Sequence, residues 1–209
     1  MPFDLQLTLL RHGRTSANER HLYAGSTDVA LSDAGISDAR RSGICDSCGL
    51  VYVSPLLRAR QTARICFPNA RQVVCDGLRE MDFGAFEGRS ADDMADDADY
   101  RRWVDSNCTL PCPGGESRAQ LICRVSRSVE DIVVSSAAQG SQSAVIVAHG
   151  GTIMAALEAF VPGGAQDDEF RYFSWQVGNC GGYRVRARLG QDGLVFAHPE
   201  RFDALRDIL

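Results

Sequence analysis

Short apolar runs alternate with helix-period segments along this chain, and that alternation restricts the fold more than any other feature. Residues 5–10 (LQLTLL) read as a strand that runs at once into Arg11-His12-Gly13. A helix is predicted over 33–42, with the Ser32 hydroxyl placed to cap it. Residues 50–53 form a short apolar run that breaks at Ser54-Pro55, and helical spacing returns over 57–66. Residues 72–75 read as a further strand. Over 116–134, Leu121, Ile122, Val125, Val129, Ile132 and Val133 fall on one helical face. AVIVA at 144–148 is the clearest buried strand; it leads into His149-Gly150-Gly151 and a helix over 152–160. Residues 183–189 and 194–197 read as a hairpin around Gln191-Asp192-Gly193. Strand–helix alternation implies an α/β three-layer sandwich, a mostly parallel sheet with helices on both faces. Residues 1–209 are expected to form one domain. The polar, acidic stretch containing DDMADDAD reads as a helical insertion at about 89–112 rather than a second domain.

Composition removes several function classes. Net charge is −5 with pI near 5.4, which disfavours a nucleic-acid polymer or an anionic membrane as partner. All 22 basic residues are arginine. A Walker A loop, a pyridoxal Schiff base and a protein-kinase site each need a lysine, so none is present in standard form. Cys45-x-x-Cys48 has zinc or redox spacing, but no second pair or nearby histidine completes a site. Cys66, Cys75, Cys123 and Cys180 lie among apolar or small residues, as core cysteines do. MPFDLQLTLLRHG lacks the pattern of a signal peptide, and no run approaches the ~18 apolar residues of a membrane span. A cytoplasmic location with reduced thiols is therefore expected.

Three strand ends carry chemistry. The first delivers Arg11 and His12, the second leads through Ser54-Pro55 to Arg58, and AVIVA ends in His149. Parallel strands bring their carboxyl ends to one edge, where ligands of open α/β sheets bind. Two guanidinium forks and two imidazoles make an anion site, since arginine donors match phosphate oxygens bidentately. Hydrogen bonds to charged groups contribute about 1.5–3 kcal/mol each, enough together to override a mildly negative protein locally. A neutral imidazole serves as nucleophile if neighbouring cations hold its pKa down.

These residues carry a family resemblance. Leu10-Arg11-His12-Gly13-Arg14-Thr15-Ser16-Ala17-Asn18 resembles the RHG-x-[ST]-x-x-N signature of the histidine phosphatase superfamily, which includes cofactor-dependent phosphoglycerate mutases. The likeness continues in order through Tyr23 to Asp28, Ser54 to Ala63, Leu78 to Gly88, Pro113 to Ser117 and Ala148 to Gly151. It implies a phosphohistidine formed on His12, with Arg11, Arg58, His149 and Asn18 binding phosphoryl oxygens and Thr15, in the same loop, contacting the substrate. Ala24 and Gly25 match the start of the substrate-facing segment. Glu80 matches the general acid that protonates the leaving oxygen and then activates water. No metal or other cofactor is implied, because arginine and histidine supply the positive charge. Arg14 departs from the family pattern, which usually has glutamate or glutamine there; it either joins the phosphate site or pairs with an acidic neighbour.

LREMDFGAFEG followed by the short acidic segment is more similar to the hydrolytic branch, including alpha-ribazole phosphatases and broad-specificity sugar phosphatases, than to mutases with their longer basic insertion. The expectation is a metal-independent phosphoric monoester hydrolase acting on a small phosphorylated metabolite. Phosphoglycerate mutase and a non-catalytic phosphate-binding module are the alternatives. Arg101-Arg102 either mimics a mutase's carboxylate-binding pair or is exposed on a helix. Cys112-Pro113-Gly114-Gly115-Glu116-Ser117-Arg118 fits the spacing of cysteine phosphatases, but prolines flank the cysteine and no apolar strand precedes it. Phe83, Phe86, Tyr100 and Trp103 either stack on a nucleotide-like leaving group, such as that of alpha-ribazole phosphate, or belong to the core. The C-terminal fifty residues add little, and oligomeric state is not legible.

Overall fold

The computed structural model describes residues 3–163 and 171–209. In chain order the elements are β1 (Phe3–Arg11), α1 (Ser16–Glu19), α2 (Asp33–Ser42), β2 (Leu50–Val53), α3 (Leu57–Cys66), β3 (Arg71–Val74), α4 (Ala98–Asp105), α5 (Arg118–Ala138), β4 (Ser143–Ala148), α6 (Gly150–Phe160), α7 (Arg171–Ser174), β5 (Gly182–Gly190) and β6 (Gly193–Phe202). They build one six-stranded sheet in the order β3-β2-β4-β1-β5-β6. The pairings among β1 to β4 are parallel, whereas β5 and β6 are antiparallel additions.

Strand pleating sorts the apolar residues into two cores. Leu5, Leu7 and Leu9 of β1 share one face with Tyr52 and Ile146, and α5 and α6 cover it through Leu121, Val125, Val129, Ile153 and Leu157. Leu10, Val51, Val53 and Val147 point the other way, against Ala39 of α2 and Ala59, Ala63 and Cys66 of α3. The result is the expected three-layer α/β sandwich.

Local chemistry sets the helix ends. Ser32 caps α2 by accepting from Gly35 N. Ser117 and Gln120 form a reciprocal capping box that starts α5 at Arg118, two residues later than the apolar spacing suggests. Helix α6 begins two residues earlier, at Gly150, because extended His149 occupies the cap. Only part of the acidic insertion becomes α-helix. Asp97 caps α4 by accepting from Asp99 N and Tyr100 N, and α4 buries Tyr100 and Trp103. Cys123 lies exposed on α5, and the thiol-core expectation fails there because it falls outside the apolar stripe. Among the described residues no helix is long and apolar enough to cross a membrane.

Candidate active site

Parallel register places the chemistry. Arg11 lies opposite Ala148, and Val53 lies opposite Val147. The residues just beyond these positions are His12, His149 and Ser54, so three distant segments surface at one edge. The His12 and His149 rings sit 5.1 Å apart between centroids, inclined at 60°.

His12 is buried, and its Nδ1 lies 2.6 Å from the Gly13 carbonyl oxygen. A carbonyl only accepts, so Nδ1 carries the proton and Nε2 keeps its lone pair. Burial is the main cause holding the His12 pKa well below 6.5; Arg58 and Arg11 push the same way, against the Gly13 bond. The ring is thus neutral, with one nucleophilic nitrogen. Thr62 fixes the loop, its hydroxyl accepting from Gly13 N at 2.9 Å and donating to Arg58 O at 2.7 Å.

His149 is fully buried. Its Nδ1 accepts from Arg58 Nε at 3.2 Å, and its Nε2 lies 2.7 Å from Ser54 Oγ. Both ring nitrogens are therefore committed to protein partners, and a phosphate contact requires one of these bonds to exchange. Burial first, then His12, Arg58 and Arg11, lower its pKa well below 6.5. Both histidines bind fewer protons folded than unfolded, so their contribution is complete above about pH 6.5 and is lost as pH falls below it. Each should steepen the loss by up to about 1.4 kcal/mol per pH unit. A His149→Gln variant should therefore show a flatter decline of Tm between pH 6.5 and 4.5 than the parent.

Arg58 is 1% exposed and donates four hydrogen bonds: Nε to His149, Nη1 to Thr27 O at 2.8 Å, and Nη2 to Ala24 O at 3.0 Å and Gly25 O at 2.8 Å. One of its five N–H groups remains for an anion, which corrects the expectation of a bidentate fork. Ala24 and Gly25 accordingly serve this arginine through their carbonyls rather than standing free for substrate. Gly25 cannot carry a Cβ, which would lie 1.7 Å from Met81 O. Thr15 is likewise corrected from substrate contact to structure: its buried hydroxyl caps α1, bonding Asn18 N at 3.2 Å and Asn18 Oδ1 at 3.1 Å. Asn18 Oδ1 also accepts from Thr15 N, so its amide NH₂ is the end that can donate to an anion.

Glu80 is held from two sides, Oε2 accepting from Gly151 N at 2.9 Å and Oε1 from Met81 N at 2.9 Å. The first donor belongs to the N-terminal turn of α6, where backbone N–H groups favour a carboxylate. Arg14 lies outside the cluster and pairs with Asp38 at 2.6 Å on the surface. Arg101 and Arg102 are exposed, and Arg102 pairs with Asp99 at 2.7 Å. Cys112 is buried and its thiol is pushed up to about 12, chiefly by burial, so it supplies no thiolate.

Two parts of the site escaped the sequence reading. The first is the segment from Val177 to Gly181. Val177 O accepts from Arg11 Nη1 at 2.6 Å, Asn179 Nδ2 donates to His12 O at 3.1 Å and Asn18 Oδ1 at 3.3 Å, and Gly181 O accepts from Arg11 N at 2.9 Å. The C-terminal region thus clamps the nucleophile loop through the Val177 and Gly181 carbonyls, which leave no residue pattern, and through the Asn179 side chain. The second is Glu87. Its carboxylate gathers Gly25 N, Ser26 N, Thr27 N and Phe83 N together with the Thr27 hydroxyl, folding the arc whose carbonyls hold Arg58. Burial opposes its ionisation, but the Thr27 hydroxyl and the backbone donors outweigh it, and its pKa lies below the usual carboxylate value. Glu87→Gln should cost about 1–3 kcal/mol and lower kcat/KM through a loosened Arg58. Thermal melts alongside steady-state kinetics test this; unchanged kinetics would remove Glu87 from the chain of support.

The fold is that of the phosphoglycerate mutase-like α/β proteins. The chain belongs to the histidine phosphatase superfamily (branch 1), whose family description matches residues 7–196. It is 29% identical over 208 residues to a 2,3-bisphosphoglycerate-dependent phosphoglycerate mutase of Azorhizobium caulinodans, covering 92% of this chain and 96% of that protein. It is 29% identical over 207 residues to an acid phosphatase of Mycobacterium tuberculosis, covering 93% and 95%. The crystal structure of the alpha-ribazole phosphatase from Shigella flexneri superposes with a TM-score of 0.74 at 26% identity, covering 96% of this chain and 98% of that one.

Proposed function

We propose that this protein is a metal-independent phosphomonoester hydrolase that works through a phosphohistidine on His12. The observation that carries this reading is the neutral His12 ring, its Nδ1 tied to Gly13 O and its Nε2 unprotonated, beside Arg11, Arg58 and His149. In the first step Nε2 attacks phosphorus and the bond to the leaving oxygen breaks. Arg11, the remaining Arg58 N–H, Asn18 and His149 then offset charge on the equatorial oxygens. Glu80 gives the leaving oxygen its proton, then takes one from the water that attacks phosphohistidine, so the enzyme returns unchanged. The substrate is a small phosphorylated metabolite of the cytoplasm, neither a nucleic-acid polymer nor a membrane lipid. Alpha-ribazole phosphate is one candidate among such esters.

Phosphoglycerate mutase is the second reading, supported by the name of the Azorhizobium relative. Hydrolysis is supported by the smaller of the two cavities that Glu80 lines, which among the described residues has one cation, Arg118, amid mainly aromatic and apolar walls. A mutase must hold a substrate carboxylate and keep water from the phosphoenzyme. The test measures inorganic phosphate release against 2-/3-phosphoglycerate interconversion, with and without excess chelator. Interconversion without net release would favour the mutase. Activity abolished by chelator would overturn the metal-free mechanism, and inactivity across a phosphomonoester panel would favour a binding module.

A further inference from the structure

The leaving group of a phosphomonoester must sit where Glu80 can reach its oxygen, and Glu80 lines two cavities: an open, polar one of about 570 Å³ that holds Arg79, Arg124, Asp76, Asp82 and Glu116, and a more enclosed one of about 240 Å³. The walls of the enclosed one are unusual for a site that handles a charged metabolite. Tyr23, Phe83 and Trp103 form one aromatic array, with Phe83 edge-on to Tyr23 at 4.9 Å and to Trp103 at 6.2 Å. Tyr172 and Phe173 of α7 add a second array, edge-to-face at 5.2 Å. Arg118 lies 5.0 Å above the Tyr172 ring, a cation–π arrangement that leaves its guanidinium plane beside the cavity. Among the described residues, Glu80 and Arg118 are the charged side chains of this lining. Phe86 and Tyr100, by contrast, are buried in the core beneath this wall and do not line it.

We infer that this cavity takes an uncharged, flat unsaturated ring on the alcohol portion of the substrate, so that the protein prefers phosphomonoesters of ring-bearing alcohols over phosphorylated sugar acids. The inference rests on the hydrolase reading and specifies its substrate class. Aromatic walls reward a ring by edge-to-face contact and by removing its surface from water. A second carboxylate or phosphate would meet one arginine already stacked on Tyr172. A small polyol would leave the walls unfilled.

Benzyl phosphate and ethyl phosphate test the point, because both release a primary alcohol of similar basicity. The expected result is a benzyl-to-ethyl ratio in kcat/KM of at least about tenfold, carried mainly by KM. Phe173→Ala should collapse that ratio, and Phe83→Leu serves if the first variant melts early. A ratio near one in the parent protein, or a large ratio untouched by either folded variant, would overturn the inference while leaving hydrolysis standing. Faster turnover of 3-phosphoglycerate than of benzyl phosphate would overturn it too. Failure to hydrolyse any of the three, with no label on His12, would instead defeat the underlying hydrolase reading.

Discussion

Replacing His12 with alanine is expected to reduce turnover by a factor on the order of 10⁵–10⁶, while the folded protein persists. His12 has one nucleophilic nitrogen, and no neighbouring group can replace it. The second imidazole has both nitrogens engaged by Arg58 and Ser54, and the Cys112 thiol is buried and protonated. Stability should change little in comparison, because the His12 ring makes one side-chain hydrogen bond, to the adjoining Gly13 carbonyl. The decisive measurement combines the rate with brief exposure to labelled phosphomonoester and acid–base analysis of the trapped protein. The parent should hold an acid-labile, alkali-stable phosphoryl group that His12→Ala lacks. Retention of that label in the variant would place the nucleophile elsewhere.

Arg58→Ala should be the most damaging single change to stability and activity together. Removing the guanidinium strands the carbonyls of Ala24, Gly25 and Thr27 and the Nδ1 of His149 in a buried setting. Each bare acceptor costs about 1–3 kcal/mol, and because the sites relax together the total is better set at about 3–5 kcal/mol. For a chain of this size that is a fall in Tm of roughly 10 °C or more. Turnover should also drop, by about 10²–10³, from the lost phosphate donor. Arg58→Lys separates the two roles: it keeps the charge but offers three donors in place of a planar fork. It should recover part of the stability and little of the rate. A Tm unchanged in Arg58→Ala would show that the loop over 24–27 does not depend on this arginine.

The clustering of His12, Arg58 and His149 was legible because each follows an apolar strand, and parallel strands end at one edge. Glu80 was legible only through the resemblance, since nothing in its own neighbourhood marks a carboxylate that will meet the N-terminal turn of α6, 71 residues later. The orientation of Arg58 was not legible either. Its type indicates an anion site, yet the structure gives four of its donors to the protein and one to whatever binds. The Val177–Gly181 clamp was invisible because two of its groups are main-chain carbonyls, which every sequence has, and nothing local to Asn179 marks its side chain as a partner of His12.

By itself, then, the sequence determined the layers and the strand edge at which the reactive groups emerge. Apolar periodicity chooses which faces leave water, and register then follows from burying them. Tertiary structure alone decided which nitrogen of His12 is free, how many donors Arg58 retains, and that Glu87 and Asn179 hold the loops in place. Those outcomes turn on distances of about 3 Å between residues far apart in the chain, where hydrogen-bond directionality, rather than hydrophobic pattern, selects the arrangement.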